Sequence, residues 1–333
     1  MRDVAATAGV SLKTVSRVVN AEPGVDARTT ARVSAAIASL GYRRNDAAVN
    51  LRKGIPLATI GLIIEDLANP FYASLARAVE EVATRHEHAI VMASSAEDPE
   101  RERKVVFDML QRGVDGLVMV PAGHDHRYLL PELSRGTRVV FLDRGPGGIE
   151  ADSIVLENAR GTREAVEHLI AHGHRRIAFV GDPIEVETSR ERLDGYREAL
   201  DAAGIDFEPA LVRMGPPRES LIQAATRQLL AMPQPPTAIF GQNNRNALAI
   251  IRAMRSLTAT VAFIGFDDFE LADMLPVRVT VVSYDPGELA RTAAELLFAR
   301  LAGDSRPPQR ILVPTRLIVR GSGEITPRRR PGS

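Results

Sequence analysis

Nine short apolar runs punctuate the chain from Leu57 onward: ATIGLII, AIVMASS, GLVMVP, VVFLD, SIVLE, RIAFVGD, TAIFGQN, VAFIGFDD and VTVVSY. Stretches with helical periodicity separate them. Runs with no polar alternation are buried on both faces, and strands of that kind belong to parallel sheets whose crossovers are helices. Nine strands are too many for one small sheet, so the spacing predicts two doubly wound lobes. The 333 residues suit two or three compact units. There is no internal sequence repeat, and no low-complexity segment apart from the basic tail Arg328–Arg330.

Composition removes several classes of function. With no cysteine, disulfides and thiolate metal sites are excluded. Met1 is followed by Arg2 and Asp3 with no apolar core of a secretory signal, and LATIGLII at 57–64 is far too short to span a bilayer. The expectation is a cytoplasmic protein without membrane contact. The formal net charge of zero hides an asymmetry. Residues 1–55 hold nine Lys or Arg against four Asp or Glu, a net of +5, and the remainder holds 33 against 38. A small basic head on a mildly acidic body confines any nucleic-acid contact to the head.

Three short helices are predicted in the first 41 residues. RDVAATAG places Val4, Ala5 and Ala8 inward, with Gly9 at the turn. The second helix follows Ser11 as N-cap, and the third follows Asp26, with Val33, Ile37 and Leu40 as its apolar stripe and Gly41 as its end. Two helices joined by a tight glycine turn and supported by a third form a helix-turn-helix unit. At about 100° per residue, Leu12, Lys13, Ser16, Arg17 and Asn20 fall within an arc of roughly 140°, opposite Val15 and Val18. One reading of that arc is a solvated face. The other is a face that reads DNA: Lys and Arg reach guanine edges, Ser and Asn reach base edges or phosphates, and Leu touches a thymine methyl.

DVAATAGVSLKTVSRVVN closely resembles the N-terminal signature of the LacI/GalR family of bacterial transcriptional regulators. LGYRRNDAAVNLRKG resembles the end of that headpiece and its hinge helix. The resemblance implies that Leu12, Lys13 and Arg17 face the major groove, and that Thr14, Ser16 and Asn20 serve the backbone or base edges. Asn45 to Lys53 is a nine-residue candidate helix, too short to be stable alone in water. In the family this helix forms on DNA in the minor groove. Leu51 matches the intercalating leucine, a wedge that unstacks a base step, and Arg52 and Lys53 supply phosphate contacts. Val49 departs from the family, which often has a basic residue there. The resemblance also implies a native start a few residues upstream of Met1.

The body resembles the same family through NPFYASLARAVEE, RGVDGLVMVP, HLIAHGHRRIAFVGD, SRERLDGYREAL, FIGFDDFELADMLP and PTRLIVRGS. This implies a periplasmic-binding-protein-like effector domain, in which a small ligand binds between two hinged lobes. Several of these landmarks end strands, where open α/β sheets place their ligand sites. The candidate cleft residues are Phe71, Tyr72, Asp143, Arg192, Asn243 and Asp267. Carboxylates, one arginine, an amide and aromatic rings suit a polyhydroxylated ligand such as a sugar. Each also has a structural alternative: Asp143 and Asp267 as helix caps, Arg192 paired with Glu191 or Asp194. Asn244 and Glu157 stand where the family usually has Asp, and the connection after AIIRAMRS is shorter than usual. No heptad leucines follow the body, so a dimer rather than a tetramer is expected.

Other chemistry is weaker. His124 and His126 in GHDHR are two residues apart and lack a third ligand, His86 and His88 in HEH are similar, and HGH at 172–174 sits at a helix-to-strand turn. RGPGGI at 144–149 matches no phosphate-binding loop. Neither a nucleophile elbow nor a catalytic acid pair is recognisable, so no cofactor, metal or enzymatic activity is expected. A transport solute-binding protein shares the body fold, but the basic head and the missing signal segment argue against it. The combined expectation is a dimeric, effector-controlled regulator that binds a near-palindromic operator, most simply as a repressor. Its parts are a headpiece over 1–43, a hinge over 44–56, a two-lobed effector and dimerisation domain over 57–325 and a basic tail over 326–333.

Overall fold

A computed structural model describes residues 2–19, 24–40, 58–257 and 261–327. The chain divides into two compact units, 1–57 and 58–333.

The first unit holds three helices, α1 (Arg2–Ala8), α2 (Leu12–Val19) and α3 (Ala27–Ser39). Val4, Ala5, Ala8, Val15, Val33 and Ala36 form its buried core, with Val10, Val18 and Ile37 packed against them. Leu40 differs from expectation. It is 46% exposed, because the stripe on α3 shifts to Val33 and Ala36. Gly9 turns the chain at φ 61°, a left-handed conformation that favours glycine. The Ser11 hydroxyl caps α2 by accepting from Thr14 N at 3.1 Å, and Asp26 caps α3 by accepting from Thr29 N at 2.9 Å. Arg32 donates to the carbonyls of Ala8 (2.5 Å) and Gly9 (3.3 Å), tying α3 to the turn that aims α2.

The second unit contains two six-stranded sheets. The first carries β1 (Thr59–Ile64), β2 (Ala89–Ser94), β3 (Gly116–Met119), β4 (Arg138–Asp143), β5 (Asp152–Leu156) and β11 (Arg310–Val313). The second carries β6 (Ile177–Gly181), β7 (Val212–Met214), β8 (Ala238–Gly241), β9 (Ala262–Phe266), β10 (Thr280–Ser283) and β12 (Arg316–Ile318). The spatial orders are β2-β1-β3-β4-β5-β11 and β7-β6-β8-β9-β10-β12. The lobes thus repeat one doubly wound topology, a structural repeat with no counterpart in the sequence. All pairings are parallel except β10 with β12. The nine expected strands are present. β7, β11 and β12 were not expected, being three or four residues long at sheet edges. β2 was expected to be buried but is an edge strand, with Val91 and Met92 about 40% exposed.

The helices are α4 (Pro70–Arg85), α5 (Pro99–Gln111), α6 (Leu130–Ser134), α7 (Asn158–Ala171), α8 (Glu187–Ala202), α9 (Glu219–Leu230), α10 (Asn244–Ser256) and α11 (Pro286–Leu301). Three of them start with one device: Asn69, Asp98 and Asp285 cap the helix with a side-chain oxygen, and a proline with preset φ follows at the first helical position. The chain passes from lobe to lobe between β5 and α7, between β10 and α11, and between β11 and β12. Three crossings therefore join the lobes. In the second lobe α7 and α8 approach closely at Gly195, where a Cβ would lie 2.1 Å from the Ala159 carbonyl oxygen.

Candidate functional sites in the head and the interlobe cleft

The outward face of α2 is set by its core. Val15 is fully buried, while Leu12 is 47% exposed and Lys13 is exposed beside it. Ser16 and Arg17 are half-buried. A methyl group at Gly24 would lie 2.7 Å from Arg17 Nη2, so the guanidinium lies against Gly24, shortly before α3. Thr14 is committed locally, its hydroxyl 2.9 Å from Ser11 Oγ. Asn20, Leu51 and Arg52, with the whole hinge segment 44–56, lie outside the described residues.

The C-terminal ends of β1, β4, β6, β8 and β9 deliver polar residues to the space between the lobes. Phe71, Tyr72, Asp143, Arg192, Asn243 and Asp267 all line one inner chamber of about 40 Å³. Asp143, the last residue of β4, and Asp267, directly after β9, share one left-handed conformation at φ 69° and 68°. The repeated topology therefore brings two equivalent carboxylates to one place.

Arg192 is 4% exposed. Its Nε donates to Asn158 Oδ1 (2.9 Å), its Nη1 donates to the Gln242 carbonyl (2.6 Å), and its guanidinium lies 3.7 Å from the Phe266 ring centroid. Its alternative partners are engaged elsewhere: Glu191 accepts from Asn158 and Arg310, and Asp194 pairs with Arg197. Asp267 combines both of its readings. It accepts from the Asn244 backbone N–H at the start of α10 (3.2 Å) and from the Tyr284 hydroxyl (3.0 Å). Asp143 caps no helix. Asn243 caps α10 through Asn246 N (2.9 Å) and donates to Asp182 (2.6 Å). Phe71 packs edge-on to Tyr72, with ring centroids 4.9 Å apart.

Burial raises the Asp143 carboxyl to about 6, with Arg144 and Arg192 opposing. Burial likewise raises Glu97 to about 7, against the pull of Arg144. Glu65 is equally enclosed, yet hydrogen bonds from Glu97 and Tyr72 together with Arg144 and Arg245 outweigh burial and hold it below the usual carboxylate range.

Several residues of the site were not foreseen. Arg245 donates to Glu65 (2.9 Å) and to Asp66, clamping α10 of one lobe to the loop after β1 of the other. Asn244 reaches across to Asn69 at 2.9 Å, and Glu187 accepts from Gly145 N at 2.8 Å. Arg144 bridges Glu97 (2.7 Å) and Glu65 (3.5 Å). Glu65 and Asp182 directly follow apolar runs, and that position was the signal available. A wider outer cleft of about 960 Å³ continues from the inner chamber, and Glu65, Arg144, Asp182 and Arg245 line both.

Most of the histidines have structural partners. His126 is fully buried, 3.2 Å from Glu102, and its Nδ1 accepts from Gly147 N. His174 bridges Thr237 and the Ile325 carbonyl, and His86 stacks on Phe298 at 4.1 Å. Among the described residues no helix is long and apolar enough to cross a membrane.

Comparison with known proteins agrees with this architecture. Residues 1–45 match the family described as bacterial regulatory proteins, lacI family, and residues 166–323 match the periplasmic binding protein-like domain. The ribose operon repressor of Escherichia coli (strain K12) is 32% identical over 328 residues, covering 97% of this chain and 99% of that protein. A solved complex of the transcriptional regulator CelR with cellobiose is similar at a TM-score of 0.71 and 30% identity, over 96% of this chain and 98% of that one. The lac repressor dimer bound to operator and the anti-inducer ONPF gives a TM-score of 0.80 at 28% identity, with the same coverage. The chain belongs to the lacI family of bacterial regulatory proteins, whose members are DNA-binding transcriptional regulators rather than enzymes.

Proposed function

We propose that this protein is a cytoplasmic repressor that binds a near-palindromic operator as a homodimer and answers to a sugar-like molecule held between its lobes. The observation that carries the effector half of this reading is the convergence of Phe71, Tyr72, Asp143, Arg192, Asn243 and Asp267 on one chamber. Carboxylates and amides that accept and donate directionally, beside two aromatic rings, match hydroxyls on an apolar sugar face. A ribose operon repressor and a cellobiose-bound regulator among the relatives support this ligand class.

The DNA half rests on α2. Leu12, Lys13, Ser16, Arg17 and Asn20 read base edges or backbone, and Thr14 steadies the start of the helix. Leu51 and Arg52 in the hinge engage the minor groove and phosphates. The working parts are the headpiece 1–43, the hinge 44–56, the effector and dimerisation domain 57–325 and the tail 326–333. Two exposed apolar surfaces support self-association: Val91 and Met92 on edge strand β2, and Leu271, Met274 and Val277, the last three 52–75% exposed. Contiguous exposed apolar patches mark interaction sites. A symmetric dimer demands a symmetric operator.

Control follows from the clamps. Glu65, Asn69, Arg245 and Asn244, with Asp66 in the outer cleft, hold the lobes together through side chains that also line the ligand space. A ligand that exchanges these contacts for its own shifts lobe closure, and through it the hinge. The coupling is reciprocal, so operator DNA changes effector affinity by the same factor. Selection from random duplex DNA by the full chain tests the reading. It predicts enrichment of a two-fold symmetric sequence; binding that enriches no sequence overturns it.

A further inference from the structure

The inner chamber accounts for the uncharged, hydroxyl-binding part of a ligand, but not for the outer cleft. That cleft is more than twenty times larger, and arginines surround it. Their pairing is uneven. Arg144 faces Glu65 and Glu97, Arg245 faces Glu65 and Asp66, and Arg310 faces Glu187 and Glu191. Among the described residues, Arg190 and Arg218 from the second lobe and His124 from the first line this cleft and have no carboxylate partner. Glu185, on the exposed loop, is the one lining carboxylate there without a cation or amide partner.

Two further features favour an anion at this mouth. Arg190 lies in the first turn of α8, and Arg218 is the N-cap of α9. Neither helix has a side-chain cap, so first-turn N–H groups add to the arginines, while the acids in those turns are engaged elsewhere, Glu187 with Gly145 N and Arg310 and Glu219 with Arg252. At the neck between the two spaces, Arg144 is 8% exposed and its buried Nε has no hydrogen-bond partner, the nearest carboxylate oxygen being Asp143 Oδ2 at 3.5 Å. Because Arg144 lines both spaces, a molecule that spans the neck passes its guanidinium.

We infer that the effector is an elongated polyol with a terminal anion, its hydroxyls in the inner chamber and its carboxylate or phosphate at the outer mouth beside Arg190 and Arg218. The inference rests on the cleft being the effector site. It goes further by choosing sugar acids and sugar phosphates over neutral sugars. Arginine pairs suit both, because carboxylate and phosphate accept the same forked donors.

The test is calorimetric titration of the full chain with matched sets: glucose, gluconate and glucose 6-phosphate, then ribose, ribonate and ribose 5-phosphate, with inorganic phosphate alone. The expected result is that an anionic member binds at least tenfold more tightly than its neutral parent and weakens as salt rises. A preference for the phosphate or for the acid identifies the source of the charge. Arg190→Gln with Arg218→Gln should bring the anionic member to the affinity of the neutral one, and Arg218→Glu should take it lower still. Neutral sugars binding as tightly as their anions overturn this inference while leaving the cleft as the effector site. Inorganic phosphate matching the best sugar overturns the elongated ligand. Binding by none of these probes also overturns the inference, while DNA selection decides the regulator reading independently.

Discussion

Truncating Arg192 to alanine is the sharpest perturbation of the cleft, and its size follows from what the guanidinium touches. The change strips the Gln242 carbonyl and the Asn158 side-chain oxygen of a buried donor and uncovers the face of Phe266. An orphaned buried acceptor costs about 1–3 kcal/mol, and a desolvated cation over a ring contributes about 2 kcal/mol. These losses overlap, so the expected cost is about 3–5 kcal/mol, as for breaking other buried charged networks. In a unit of this size that lowers the melting midpoint by on the order of 10 °C. Arg192→Lys keeps a charge but loses the flat contact and the fork, and should fall between. The Asp143 carboxyl supplies a second readout. Burial already raises it to about 6, and Arg192 is one of the cations opposing that rise. A raised acid contributes stability that is present below its unfolded value and lost as pH rises through its folded value. Without Arg192 that loss moves to higher pH. Thermal and urea unfolding of the full chain across pH 4–8 measures both effects. A cost below about 1 kcal/mol, with an unmoved pH profile, refutes the view that Arg192 organises the chamber.

Other outcomes follow from the same contacts. Arg245→Gln removes the clamp to Glu65 and Asp66; because Arg245 is partly exposed the cost in stability is only about 1 kcal/mol, but distance measurements between labels on the two lobes should show a wider cleft, and an unchanged distance would count against the clamp. Glu97, raised to about 7 by burial, contributes stability below the ordinary glutamate range that is lost as pH rises through 7. Glu97→Gln should therefore reduce the fall in stability as pH rises from about 6 to 8, above the Asp143 value, and an unchanged slope there excludes Glu97 as its source. Gly195→Ala forces a Cβ against the Ala159 carbonyl and should destabilise the second lobe by about 1–3 kcal/mol, read by denaturant unfolding. Val15→Ala empties the centre of the head core at a cost of about 2 kcal/mol; it should lower head helicity and DNA affinity together, and loss of only one would mean that core and reading face are uncoupled.

What the sequence made legible was whatever depends on local pattern. Uninterrupted apolar runs such as TIGLII and FIGF identified buried parallel strands, and strand-end positions identified Asp143, Asn243 and Asp267. Short edge strands escaped, since RLI carries no period strong enough to separate strand from loop. Leu40 was misplaced because Ala36, one turn earlier, takes the core position that a larger side chain was expected to fill. The clamps escaped for another reason. Arg245 and Glu65 stand 180 residues apart, and the tie from Arg32 to Ala8 spans 24. Neither follows from any window of sequence, because each exists only once the helices and strands are in place. The duplicated topology is hidden likewise, since parallel strands need only be apolar and the two lobes meet that need with unrelated residues.

The most direct test of the central claim, that α2 presents a base-reading face, is fluorescence anisotropy of the full chain on its selected duplex and on a scrambled duplex of equal length. Wild type should prefer the selected duplex at physiological salt. Lys13→Ala and Arg17→Ala should each cost about 1–3 kcal/mol there, roughly fivefold to 150-fold in affinity. On the scrambled duplex the loss should be much smaller. Equal losses on both duplexes would show that these side chains supply charge alone, and would contradict the account.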